Sequence, residues 1–346
     1  VTTQKKLFSL DNIQHLNLIQ WLPVDASSNN IAITFDKTQQ AFVLSDNNNN
    51  NLPSLTNSSE TIELIVFGDL KVTTLVNLLS KCELTLHCLH KINQRNNATS
   101  YRFGVQIKDI KQAQDRLASF NISEQIESAL LLNAPTLSTP GLLVMDMDST
   151  TIKIECIDEI AVLAGVGEEV AAVTELAMLG ELDFSQSLHQ RVAKLEHAPE
   201  KILAQVASNI PLMEGLETLV SELKKHHWRV AIASGGFTYF ADHLKQMLSL
   251  DAAVANVLEI KNNLLTGKVL GEVIDAKAKA NCLVELKNEF NIAPTQTVAM
   301  GDGANDLVMM AAAHLGVAFH AKPLVLAQAD ACITTSGLDC LLHWLK

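Results

Sequence analysis

The chain has no surplus of positive charge. Its 346 residues carry 26 lysines and arginines against 38 aspartates and glutamates, a formal net charge of −12. That balance excludes recognition of nucleic acid through its phosphates, which needs a basic footprint. A small anionic ligand remains compatible, because the field inside a cleft can oppose the global sign. No C-x-x-C pair occurs among the six cysteines, Cys82, Cys88, Cys156, Cys282, Cys332 and Cys340. They are scattered through apolar stretches, as buried reduced thiols are, so a cytoplasmic compartment is expected. The eleven histidines show no H-x-x-x-H spacing, which argues against zinc. The opening residues VTTQKKLFSLDN contain no secretory h-region, and no run has the length of a transmembrane helix. No membrane partner is expected.

What the chain does contain is an ordinary globular balance, 48% hydrophobic and 18% charged residues. Its length predicts two domains, each with its own core. The polar, asparagine-rich stretch SDNNNNNLPSLTNSSET, residues 45–61, cannot pack a core and predicts a loop. Before it, IAITFDKTQQAFVLS predicts a hairpin. After it come TIELIVFG as a strand, KVTTLVNLLSKCE as a helix, LTLHCLHKI and SYRFGVQI as strands, and IKQAQDRLASF as a helix. That order is most of an α+β ferredoxin-like unit and resembles an ACT domain, though without fingerprint residues. The resemblance leaves two roles open, packing or dimerisation (a homodimer) and binding of an amino acid. The prolines and glycine of LLNAPTLSTPG predict a boundary near residue 138, giving an N-terminal domain over 1–138 and a second domain over 139–346.

From Gly141 the pattern changes. LLVMDMD, RVAIASGG, TVAMGDG and LGVAFHA are continuous apolar runs separated by helical segments such as GLETLVSELKKHH and PLVLAQAD. Runs of this kind predict strands covered on both faces, hence an α/β fold with a Rossmann-like parallel sheet. Three of them lead straight into polar or glycine-rich residues, which belong at the carboxyl edge where such sheets bind ligands. Between residues 157 and 212 only amphipathic helical sequence occurs, which predicts a helical cap inserted after the first strand.

Four clusters fall at strand ends in a fixed order: DMDST, SGG, DAKAKAN and GDGAND. Each alone has a plain explanation as a helix cap, a tight turn, a solvated lysine or a positive-φ loop. Together they suit phosphoryl transfer. A carboxylate such as Asp146 can attack phosphorus, and Asp148, two residues on along a strand, can handle the proton. Asp302 and Asp306 add negative charge, which calls for a hard divalent cation, Mg²⁺ being the expected one. Ser234 and the backbone N–H groups after it, with a lysine such as Lys279, would hold phosphoryl oxygens.

These clusters, with ECIDEIA and AMLGELDFSQSLHQRV, resemble the haloacid dehalogenase superfamily of phosphohydrolases over residues 141–346. The resemblance implies Asp146 as the phosphorylated nucleophile and Asp148 as general acid and base. It implies Mg²⁺ held by the Asp146 side chain, the Asp148 backbone carbonyl and Asp302, with Asp306 a supporting acid of the same metal site. Ser234 and Gly235 match the phosphate-binding pair, Lys279 (rather than Lys277) the phosphate-neutralising lysine, and Asn305 a further substrate contact. In the cap, Glu155 matches the acid that receives a substrate amino group, Arg191 the guanidinium that clamps its carboxylate, and Met178 and Phe184 the apolar pocket lining. An α-amino acid demands that pairing of acid and guanidinium. The implied reaction is hydrolysis of O-phospho-L-serine to L-serine and phosphate, the last step of L-serine biosynthesis, with serine as a feedback ligand. The alternatives are the same chemistry on phosphohomoserine or phosphothreonine, and a noncatalytic serine sensor.

Overall fold

The computed structural model describes residues 5–22, 31–45 and 62–346. The predicted asparagine-rich loop, apart from Ser45, lies outside the described residues. Backbone contacts divide the chain into two units. The first comprises Val1–Ala134, Asp330–Ser336 and Cys340–Lys346; the second comprises Pro135–Ala329 and Gly337–Asp339. The sequence reading carries the second domain on to residue 346. Buried polar contacts explain why late residues join the first unit. Arg102 donates through Nη2 to the carbonyls of Trp344 (3.0 Å) and Leu345 (2.9 Å), and Glu127 Oε1 accepts from the N–H groups of Thr334 (2.8 Å) and Ser336 (3.0 Å).

In the first unit, strands β1 (Lys5–Ser9), β2 (Ile31–Asp36), β3 (Ala41–Ser45), β4 (Ile62–Phe67), β5 (Thr85–Arg95), β6 (Ala98–Gln106) and β7 (Glu127–Leu132) form one antiparallel sheet in the order β1-β3-β2-β5-β6-β4-β7. Strands β4 to β7 alternate with helices Val72–Lys81 and Ile110–Glu124 and reproduce the ferredoxin-like strand order. The sequence reading omits β7, because ESALLL is a short apolar run with no helix or turn signal of its own. The Val72–Lys81 helix buries Val72, Leu75, Leu78 and Leu79, an i, i+3, i+6, i+7 stripe of the kind that packs a helix on a sheet. Leu64 and Phe103, both 0% exposed, belong to the same core cluster.

The second unit is built on β8 (Leu142–Met145), β9 (Arg229–Phe237), β10 (Ala252–Lys261), β11 (Leu264–Leu270), β12 (Thr297–Gly301) and β13 (Leu315–Phe319). They run in the order β11-β10-β9-β8-β12-β13. All neighbours are parallel except β10 and β11, an antiparallel hairpin whose Asn262 and Asn263 both take positive φ, as a tight hairpin turn requires. Leu142, Leu143, Val144 and Met145 are fully buried, which is why this strand reads as a continuous apolar run. Chain order reverses between β8 and β12, and the carboxyl ends of those two strands therefore open a crevice. Between β8 and β9 lie the helices Cys156–Ala164, Gly167–Met178, Phe184–Lys194 and Lys201–Ala207. Helix Leu216–Lys225 then leads into β9. Among the described residues no helix is long and apolar enough to cross a membrane.

Candidate active site

Asp146 stands one residue beyond β8 and stays in the ladder, its N–H donating to the Met300 carbonyl at 2.9 Å. Its carboxylate is held on one side only. Asp146 Oδ1 accepts from the Met147 N–H at 2.8 Å and lies 2.8 Å from Lys279 Nζ. Among the described residues Oδ2 has no hydrogen-bond or ion-pair partner.

Lys279 sits in the first turn of helix Ala276–Glu289, whose Asp275 cap accepts from the Ala278 N–H. Its side chain is 1% exposed and reaches Asp306 Oδ1 at 2.7 Å. Burial opposes the ammonium charge, but Asp146 and Asp306 outweigh it and raise the Lys279 pKa. Asp306 is wholly buried, and its other oxygen accepts from the Gly303 N–H at 3.0 Å. Gly301 is required here, since a Cβ would stand 2.3 Å from Asp306 Cγ.

Asp302 accepts from the Thr150 hydroxyl at 3.2 Å. One carboxylate oxygen each from Asp146, Asp302 and Asp306 lie within 4.8 Å of one another. Three hard oxygen donors against one ammonium are a donor set that fits a divalent cation. Burial first, and the charge of Asp146 second, raise the pKa of Asp302.

The Asp148 carboxylate is not a member of that trio. Its Oδ1 accepts from the N–H of Cys156, the first residue of its helix, at 3.2 Å. Burial, then repulsion from Glu155 and Asp146, pushes the carboxyl up to about 8, against the hydrogen bonds from Cys156. A folded-state value above the unfolded one means that the folded state binds this proton more tightly. The associated stability is complete below the unfolded value of 3.8 and is lost as pH rises through 8. Asp148→Asn is therefore expected to raise the melting temperature of the metal-free protein at pH 8 by about 4 °C, with little change at pH 4. Thermal scans at the two pH values check this.

The end of β9 brings Ser234, Gly235 and Gly236 to the same place. Ser234 is 1% exposed, and its Oγ accepts from the Gly236 N–H at 2.8 Å, leaving the hydroxyl proton to donate outward. Gly235 is packed against the cap, where an added Cβ would lie 2.5 Å from Phe184 Cζ. Its carbonyl accepts from Asn256 Nδ2 at 2.8 Å, and Asn256 Oδ1 accepts from the Ile274 N–H at 2.8 Å.

On the cap side, Glu155 precedes helix Cys156–Ala164 and accepts from the Ser149 hydroxyl at 2.8 Å. Its pKa is raised by burial, opposed by Ser149 and reinforced by Asp302 and Asp146. Ser149 takes a φ of 58°, a conformation that turns the chain sharply after Asp148. Arg191 lies on helix Phe184–Lys194, started by a reciprocal Asp183–Gln186 capping box. Its Nε is buried and, among the described residues, has no hydrogen-bond partner. Burial lowers its pKa, against the fields of Asp158, Glu155 and Asp148.

One cleft of about 470 Å³ collects these groups. Asp146, Asp148, Glu155, Met178, Phe184, Arg191, Ser234, Gly235, Asp302 and Asn305 all line it. Lys279 and Asp306 are not among the lining residues and act from behind Asp146. Met178 is 72% exposed and stands at the rim. The sequence reading passed over Ser149 and Thr150, although both lie within DMDST, and Asn256, whose signal was a lone amide inside an apolar strand. It also passed over Lys322, which lines the cleft and has no local sequence signal.

The model of haloacid dehalogenase-like hydrolases matches residues 141–314. The phosphoserine phosphatase of Vibrio cholerae serotype O1 is 59% identical over 214 residues, which are 62% of this chain and 65% of that protein. The chain thus spans just under two thirds of that relative's length. The phosphoserine phosphatase of Haemophilus influenzae is 56% identical over 227 residues, 66% of this chain and 72% of that protein. Among solved structures, the unliganded crystal structure of a probable phosphoserine phosphatase from Vibrio cholerae superimposes with a TM-score of 0.71 at 46% identity, covering 82% of this chain and 86% of the other.

Proposed function

The chain belongs to the haloacid dehalogenase-like hydrolases, and on that premise we propose that it hydrolyses O-phospho-L-serine to L-serine and phosphate through an aspartyl-phosphate on Asp146, with Mg²⁺ as its cation. The observation that carries the reading to this substrate is the buried, unpartnered Arg191 Nε in the same cleft as Glu155 and the Asp146 nucleophile. A guanidinium and a carboxylate set apart from the phosphoryl position match the carboxylate and ammonium of an amino acid. The two relatives named above carry that activity in their names.

In the first step Asp146 Oδ2 attacks phosphorus while Oδ1 stays bonded to Lys279 and Met147. The bond from phosphorus to the serine oxygen breaks, and Asp148, protonated near neutral pH by the shift described above, gives its proton to the departing alkoxide. In the second step Asp148, now a carboxylate, takes a proton from the water that attacks the aspartyl-phosphate, and Asp146 leaves as a free carboxylate. Ser234 and the N–H groups that follow it receive the phosphoryl oxygens where negative charge grows. The Asp146 and Asp302 carboxylates and the Asp148 carbonyl, with Asp306 in support, would hold Mg²⁺, which would supply neutralisation of the phosphoryl charge. Serine feedback through the first unit, a homodimer and a cytoplasmic location belong to the same proposal.

The test is phosphate release from phosphoserine, phosphothreonine and phosphohomoserine, each with Mg²⁺ and with EDTA. The expected result is a kcat/KM for phosphoserine at least about tenfold above the others, because a pocket distinguishes one methylene by that order, and no release in EDTA. Equal values for the three esters would overturn the serine assignment. Full activity in EDTA would overturn the metal.

A further inference from the structure

The cleft that would admit the phosphoryl dianion is lined by more carboxyl groups than cationic side chains. Asp146, Asp148, Glu155 and Asp302 line it as carboxyl groups, and only two cationic side chains do, Arg191 and Lys322. Lys279 is already engaged by two carboxylates and does not reach the lining. Arg191 faces the cap-side acids and is taken by the substrate carboxylate. Mg²⁺ would answer the phosphoryl charge once the group is seated at Asp146, but a dianion approaching a cleft lined by four carboxyl groups is drawn in by a cation nearer solvent.

Lys322 is placed to supply it. β13 pairs in parallel with β12, Gly301 opposite Ala318, so the loop after β13 emerges beside the loop that carries Asp302 and Asn305. Lys322 is in that loop. Its backbone is fixed as the cap of a short helix, with Pro323 in the first turn and its carbonyl accepting from the Val325 N–H at 2.9 Å. The side chain is exposed, and among the described residues no carboxylate pairs with its ammonium. A fixed backbone, a free ammonium and a wall position in an acidic cleft form a device for drawing in an anion, not a buried structural contact.

We infer that Lys322 recruits the phosphoryl group of the substrate and contacts it at the mouth of the cleft. This rests on the phosphatase reading. Such a group acts on encounter and binding, so its effect falls on KM and on the salt dependence of kcat/KM.

The experiment measures kcat and KM of the full chain with Mg²⁺ on phosphoserine and on p-nitrophenyl phosphate across a series of ionic strengths. Lys322→Ala, Lys322→Arg and Lys201→Ala are compared, Lys201 being exposed and outside the cleft lining. Lys322→Ala is expected to raise KM about tenfold on both esters at low salt and to flatten the slope of kcat/KM against ionic strength. Lys322→Arg should keep the wild-type slope, and Lys201→Ala, with the same net charge change, should leave both constants as they are. An unchanged KM and slope in Lys322→Ala overturns the inference while leaving the phosphatase reading intact. A loss confined to phosphoserine overturns the assignment to the phosphoryl group. No hydrolysis of either ester by the wild type overturns both readings.

Discussion

Asp146→Asn is expected to lower kcat for phosphoserine by about 10⁴-fold or more, as loss of a covalent nucleophile does. An amide oxygen is a poor nucleophile toward phosphorus, and no neighbouring carboxylate can replace it. Asp148 is turned toward the Cys156 N–H, Asp306 is tied to Lys279 and Gly303, and Asp302 accepts from Thr150. The substitution is close to isosteric, and the amide oxygen can still accept from Lys279 and from the Met147 N–H. The fold is thus expected to persist, with circular dichroism unchanged. Two readouts check the prediction: steady-state phosphate release, and the acid-stable phosphoprotein that the wild type forms on mixing with substrate and the variant does not. Turnover within tenfold of wild type would remove Asp146 from the role of nucleophile.

The second large effect is on stability. Lys279→Met is expected to cost about 3–5 kcal/mol, because truncating one partner of a buried ion cluster leaves the others uncompensated. The cluster is unusually exposed to this loss. Lys279 and Asp306 are 1% and 0% exposed at the side chain, and Asp146 is 9%, so water cannot take over the ammonium's part. Methionine fills much of the lysine stem's volume, which confines the loss mainly to charge.

The sign of the pH dependence follows from the same carboxyls. Burial first, and Asp146 second, already raise the pKa of Asp306 against the pull of Lys279. Without the ammonium that value rises further, and Asp306 takes up a proton as pH falls. The loss of stability should be largest near pH 8 and smaller near pH 5. Denaturant unfolding at the two pH values, followed by circular dichroism, checks it; an equal loss at both would mean that packing of the stem, not charge, is what Lys279 contributes. Catalysis should fail as well, since in the proposed mechanism Lys279 orients Asp146.

Much of this was legible in the linear sequence. The carboxyl edge of a parallel sheet announces itself as an apolar run that stops at polar residues, and DMDST, SGG and GDGAND do so in order. The constraint is local: a strand buried on both faces must be apolar, and its last residue can carry a carboxylate only where the edge opens. The Asn262–Asn263 turn between β10 and β11 carried an equally local signal that the reading left unused. β7 was missed for the opposite reason. ESALLL is too short to declare its state, and its place beside β4 is settled by pairing with residues sixty or more positions away.

Sequence by itself determined the kinds of side chain at the strand ends, and with them the class of chemistry. Tertiary structure decided which of their atoms are free. That Oδ2 of Asp146 is open among the described residues, that Asp148 is pressed toward protonation by burial first and by Glu155 and Asp146 after it, and that Arg191 Nε has no partner among those residues all depend on distances across several elements. Asn256 and Lys322 entered the account only through folding, one as a brace beneath Gly235 and the other as a cation on the cleft wall. The physical reason is range. Backbone state and burial pattern are set by neighbours within a few residues, whereas desolvation, Coulomb fields and hydrogen-bond partnership are set by whatever the fold brings within a few ångströms.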